Sequence, residues 1–197
     1  MAAAASSETE PRSGLPDGNG EESSKKEKPN KLEKTALLQE LFVKELLDLL
    51  WAEEHLLKLW QDLRQTVSDN TLNTILGGWL TRAVIHTQRL RNIFEQQLGL
   101  EIALQKCQGM AGLLAEADLL IEQTRQITDV RDIAIVMIMQ KINHYKISSY
   151  KAMAAFAEMR SQDQIKRLLT ENLQEEEEVG KNLADLFVDL TRQLELE

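Results

Sequence analysis

Glu53, His86, Asn143 and Glu176 are polar or ionisable residues at positions where the surrounding pattern demands apolar ones. Phe42, Leu46, Leu49, Glu53, Leu56, Trp60 and Leu63 follow steps of three and four, the spacing of one helical face, so Glu53 falls inside a core stripe. His86 interrupts a second stripe, Leu72, Leu76, Trp79, Ala83, His86, Leu90 and Ile93. A third runs Ile133, Val136, Gln140, Asn143, Ile147, Tyr150 and Ala154, with His144 beside Asn143; a fourth runs Ile165, Leu169, Asn172, Glu176, Val179, Leu183, Leu186 and Leu190. A lone carboxylate in such a stripe is costly. Four helices packed side by side would instead bring these residues into one buried polar layer, which is how helical bundles build metal sites.

The elements that must position the layer are all helical. The chain has 197 residues, enough for one domain plus a tail, and its three prolines and nine glycines lie mostly before the first stripe or at joints. The single cysteine, Cys107, excludes an intramolecular disulfide and fits a reducing compartment. A formal charge of −9 with no basic face argues against nucleic acid as a partner. Met1 to Asn30 has hardly an apolar side chain and reads as a disordered tail whose Lys25, Lys26 and Lys28 sit among acids. It has no secretory leader pattern, and no later stretch is long and apolar enough for a membrane span, so the expectation is a cytoplasmic protein without membrane contact.

The folded part, residues 31–197, reads as four main helices and one minor one. The first covers roughly Lys31 to Thr66; the second starts at a cap on Asp69 or Asn70 and ends near Gly99; the third follows a cap at Thr128 or Asp129 and ends near Met159; the fourth follows Ser161. Two joints are short and make hairpins, whereas almost thirty residues separate the second helix from the third. That single long crossover is the topology of a ferritin-like antiparallel four-helix bundle. Met110, Leu113, Leu114, Ala117, Leu120 and Ile121 mark a short amphipathic helix within the crossover. Ile133 to Met139 is apolar around the whole helix and must be covered by that short helix or by a second subunit. A homodimer is therefore expected.

Several stretches carry a family resemblance. LQELFVKELLDLLWAEEHLLK from Leu38, QRLRNIFEQQLG from Gln88, KCQGMAGLLAEAD from Lys106, VRDIAIVMIMQKINHYKISSY from Val130 and LLTENLQEEEEVGKNL from Leu168 resemble, in order, the YciE/YciF-like family of bacterial ferritin-like proteins. The resemblance implies a stress-associated dimeric protein with a two-metal carboxylate centre. Such a centre takes a Glu from each of two helices and a Glu-x-x-His pair from each of the other two. Ala52 and Glu53 keep the family's Ala-Glu step, but Thr81 and Arg82 stand at its acidic positions, Asn143, His144, Tyr145 and Lys146 stand where it has Glu-His-Tyr-Glu, and Gly180 stands where another acid is usual.

With that loss of anionic charge, Arg82 and Lys146, three or four residues from Trp79, His86 and Asn143, are expected to neutralise Glu53 and Glu176 in place of metal ions. Any metal would be a single divalent ion (iron, manganese or zinc) on Glu53, His86, His144 and Glu176. Glu175, Glu177 and Glu178 read as a solvated face, and Trp51, Trp60 and Trp79 as core or interface anchors. The resulting expectation is a non-catalytic assembly or interaction module without a cofactor; the alternative is a metalloprotein handling iron or peroxide through a reduced site. No nucleophile-base pair, phosphate loop or zinc-binding cysteine pattern points to another enzyme class.

Overall fold

The structure, a computed structural model, describes residues 30–195, so the tail expected over residues 1–30 lies outside it except for Asn30. Asn30 belongs to the fold: its side chain accepts the Glu33 amide at 2.9 Å while the Glu33 carboxylate accepts the Asn30 amide at 2.8 Å, a capping box that starts α1, Lys31–Arg64. The Asp69 side chain accepts the Leu72 amide at 2.7 Å and starts α2, Asn70–Asn92. The last turn widens into a π-helical segment, Ile93–Leu98, and stops at Gly99, whose φ of 61° suits a residue without Cβ.

The remaining helices are α3, Gln108–Gln123; α4, Thr128–Met159; and α5, Asp163–Glu195. There is no strand among the described residues. Cys107 caps α3, its sulfur accepting the Met110 amide at 3.5 Å while lying 3.1 Å from the Tyr145 hydroxyl, which ties the start of α3 to α4. Burial and this thiol contact hold the Tyr145 hydroxyl above its usual pKa. Neither Thr128 nor Asp129 caps α4: the Thr128 hydroxyl lies 3.1 Å from Asp129 Oδ1, and Ile127 takes the cap position without a side-chain bond.

Cross-helix contacts fix the directions. Glu54 with Arg91 and Arg64 with Asn73 make α1 and α2 antiparallel. Glu158 with Lys166 and Gln140 with Leu183 do the same for α4 and α5, and Arg82 with Glu178 and Arg89 with Glu171 for α2 and α5. Thr66 with Arg131 and Phe42 with Phe156 make α1 and α4 antiparallel. Consequently α2 and α4 run the same way, and the segment between them must return along the bundle. α3 lies on that return and packs mainly against α4, so the crossover helix covers much of the Ile133–Met139 segment.

One further clamp holds the α1–α2 joint. The buried carboxylate of Asp132, near the start of α4, accepts the Ser68 amide at 3.0 Å, the Ser68 hydroxyl at 2.7 Å and the Asp69 amide at 2.8 Å. The core divides into two apolar clusters. One contains Leu56, Trp60, Leu76, Trp79, Ile138 and Leu183; the other contains Phe42, Leu46, Leu90, Phe94, Tyr150 and Leu169. Along all four long helices the boundary between the clusters falls at the same depth, and the buried polar residues other than Asp132 occupy it.

Candidate functional site

Glu53, His86, Asn143, Lys146, Asn172 and Glu176 are all buried at that boundary. Lys146 Nζ lies 3.0 Å from Glu53 Oε1 and 2.7 Å from Glu176 Oε1. His86 Nδ1 faces the same two oxygens, at 3.2 and 3.4 Å. Tyr150 donates to Glu53 Oε1 at 2.6 Å, and Asn143 Nδ2 donates to the Glu176 carbonyl at 3.0 Å and to its Oε2 at 2.8 Å. On the outer side, His86 Nε2 lies 2.9 Å from Glu175 Oε2, and Arg89 Nη1 lies 2.8 Å from both Glu175 Oε1 and Asn172 Oδ1.

The electrostatics follow from burial and pairing. Burial alone would raise the Glu53 pKa, but the Lys146 charge and the hydrogen bonds from His86 and Tyr150 outweigh it and lower the value to about 2. Burial likewise works against the Lys146 charge, yet Glu176 and Glu53 raise its pKa above the usual lysine value. Burial and the Glu53 charge push the Tyr150 hydroxyl well up, so it serves as a donor. Glu175, partly buried, is held below the ordinary carboxylate value because hydrogen bonds from Arg89 and His86 outweigh its desolvation. Both ring nitrogens of His86 face carboxylate oxygens, Nδ1 toward Glu53 and Nε2 toward Glu175.

Two residues of the expected set are elsewhere. His144 is exposed. It follows Asn143 in sequence, but one residue turns about 100° around a helix, so Asn143, Lys146 and Tyr150 face the layer and His144 does not. Arg82 is also outside: it is half-buried in the groove between α2 and α5, 3.7 Å from the exposed Glu178, because Ala83 takes the inward position. Conversely, Glu175 is not part of the solvated face. Its bonds to His86 and Arg89 make it the outer wall of the layer. Arg89 and Tyr150 also belong to the network; Tyr150 lay on a core stripe, but its hydroxyl role depends on which helix stands opposite.

The two-metal centre implied by the resemblance does not fit these residues. Among the described residues, only Glu53, His86 and Glu176 offer converging donor atoms, within 4.8 Å of one another, and the Lys146 ammonium already bridges the two carboxylates. Three donors could hold one ion; two hard cations would demand more anionic oxygens than the layer contains.

Comparison with known proteins agrees with the architecture. The YciF protein of Escherichia coli strain K12 is 31% identical over 152 residues, which is 77% of this chain and 91% of that one. The crystal structure of the E. coli stress protein YciF superposes with a TM-score of 0.74 at 30% identity, covering 79% of this chain and 97% of its own. YcfI from Rhodopseudomonas palustris gives 0.69 at 30% identity over 75% and 92%. The family model described as a domain of unknown function, DUF892, matches residues 37–195, from before the first core stripe to the end of α5, and the chain belongs to that family.

Proposed function

We propose that this chain is a ferritin-like, antiparallel four-helix bundle that works without catalysis, as a stress-associated assembly or interaction module in the cytoplasm. Its polar centre is an internal ion-pair network standing in place of metal. The observation that carries this reading is the Lys146 ammonium, within 3.0 Å of a carboxylate oxygen on each of two opposed helices, where it supplies the positive charge that a bridging cation would supply. E. coli YciF is described as a stress protein, which supports the stress association.

The test is the metal content of protein purified without chelators, measured alongside Lys146→Met. The expected result is well under one ion per chain and a marked loss of stability in the variant. Two tightly held ions per unaltered chain would sink the reading.

The module acts as a homodimer. With α3 covering much of α4, the surface that supports self-association is the outer face of α2, where exposed Thr74, Gly78, Thr81, Ile85 and Gln88 form an uncharged stripe. Thr74 and Thr81 turn their hydroxyls onto carbonyls of their own helix, at 2.9 and 3.1 Å. In a chain with a net charge of −9, a stripe without charge is the face on which two copies repel least. No helix among the described residues is long and apolar enough to cross a membrane, and the acidic balance disfavours nucleic acid.

A second reading, a single divalent ion of iron, manganese or zinc on Glu53, His86 and Glu176, draws support from one further observation. Glu53 Oε2 is buried and makes no hydrogen bond, so one carboxylate oxygen is left without a partner. Stoichiometric uptake of one ion with displacement of Lys146 would favour it.

A further inference from the structure

Gly180 lies one turn after Glu176 on α5, opposite Asn143 on α4. A Cβ there would come 2.6 Å from Asn143 Oδ1, with Asn143 Cγ and Ile147 Cδ1 each at 3.7 Å. That oxygen is buried and accepts no hydrogen bond, so no bond of its own holds it where it lies. The other end of the carboxamide is doubly held: Nδ2 donates to the Glu176 carbonyl and to Glu176 Oε2. A side chain at position 180 therefore requires the carboxamide to shift, against the two bonds that hold its Nδ2. With Oε2 engaged by Asn143, Glu176 Oε1 is the oxygen that meets Lys146 at 2.7 Å.

We infer that Gly180 is a positioning residue for the polar centre: its bare Cα admits the Asn143 carboxamide between α4 and α5, and Asn143 in turn sets the rotation of the Glu176 carboxylate toward Lys146. The inference rests on the centre being an ion-pair network. Glycine is among the poorest helix formers, so at an unconstrained helical position its replacement by alanine raises stability. At Gly180 the sign reverses, and it reverses because of Asn143.

The experiment compares Gly180→Ala in the unaltered chain and in an Asn143→Ala background by thermal melting, with Gly112→Ala as the reference, since a Cβ at Gly112 meets nothing within 4 Å. Gly180→Ala is expected to lower the melting temperature by roughly 4 °C or more in the unaltered chain. It should leave the temperature level or raise it once Asn143 is Ala, as Gly112→Ala does in either background. The side-chain ammonium resonance of Lys146 in 15N-labelled protein supplies a readout that a plain packing defect would leave in place. Gly180→Ala and Asn143→Ala should move it the same way, and Gly112→Ala should not move it.

A rise in melting temperature for Gly180→Ala in the unaltered chain overturns the inference. So does an equal fall in both backgrounds, or an unmoved Lys146 signal. If Gly180→Ala does not fold, folding of the double variant supports the inference and its failure to fold overturns it. A Lys146→Met chain that melts like the unaltered one would instead sink the ion-pair reading itself, and the background comparison at position 180 keeps that failure separate.

Discussion

Lys146 illustrates how a buried charge behaves once its counter-charges are fixed by the fold. Two carboxylates on different helices converge on one ammonium, and all three groups are buried. Removing one member of such a group strands the others, which costs about 3–5 kcal/mol, whereas replacing a whole network with apolar residues is often neutral. Lys146→Met is therefore expected to lose stability on that scale in urea unfolding, and a loss below about 1 kcal/mol would show that the carboxylates find other partners. The pH dependence has a defined sign. Glu53 is lowered from 4.5 to about 2, so its contribution is present above about pH 4.5 and is lost as pH falls toward 2. Taken at about 1.4 kcal/mol per unit, that is ~3 kcal/mol. Lys146 is raised above 10.5, so its contribution is present below that value and is lost only as pH climbs past it. The expected profile is a plateau between these limits, and Glu53→Gln should flatten the acid limb; an unchanged acid slope in that variant would contradict it.

The inward residues were legible because each broke an apolar pattern on its own helix: Glu53, His86, Asn143 and Glu176 needed nothing beyond local spacing. The partners were not. Glu175, Arg89 and Tyr150 join the network through neighbours on other helices, and a stripe carries no information about which helix will stand beside it.

At the scale of elements, the cap of α2 is Asp69, one of the two residues that the sequence offers for it, whereas the sequence reads as tail through Asn30, whose capping box starts α1. The π-helical end of α2 gives no signal in the sequence, since a wider turn leaves the spacing of apolar residues almost unchanged over so short a stretch. Asp132 is the more instructive case. It stood in the sequence as one acid on an apolar helix, yet it accepts three hydrogen bonds from the joint between α1 and α2 and fixes the hairpin to α4. Asp132→Ala leaves two backbone amides and a hydroxyl without their acceptor. The expected cost is about 2–3 kcal/mol, with faster amide exchange at Ser68 and Asp69 than at the middle of α2. Protection that stays uniform across the joint would argue that water replaces the carboxylate at no cost.

The whole molecule carries two expectations. If the outer face of α2 is the surface joining two copies, Ile85→Glu should yield monomer by sedimentation at micromolar concentration with little change in melting temperature, because Ile85 is exposed in the single chain. A dimer that survives the substitution would place the contact elsewhere. Deleting residues 1–29 while keeping the Asn30 cap should leave thermal stability nearly unchanged, whereas removing Asn30 as well should cost about 1 kcal/mol through the lost capping box. A drop on the first deletion would mean that the segment docks on the bundle.

The placement of the ion pairs also bears on how the two hairpins find their alignment. Apolar seams tolerate sliding, because one leucine packs against a helix much as the next does. Here Glu53 and His86 arrive on one hairpin, Lys146 and Glu176 on the other, and the four side chains meet at a single depth. A slip of one helical turn, about 5.4 Å, would carry the ammonium away from Glu53 and into the apolar cluster on either side. The polar layer thus works as a vernier: most of the favourable packing is available in several registers, but only one of them joins the polar groups of the two hairpins.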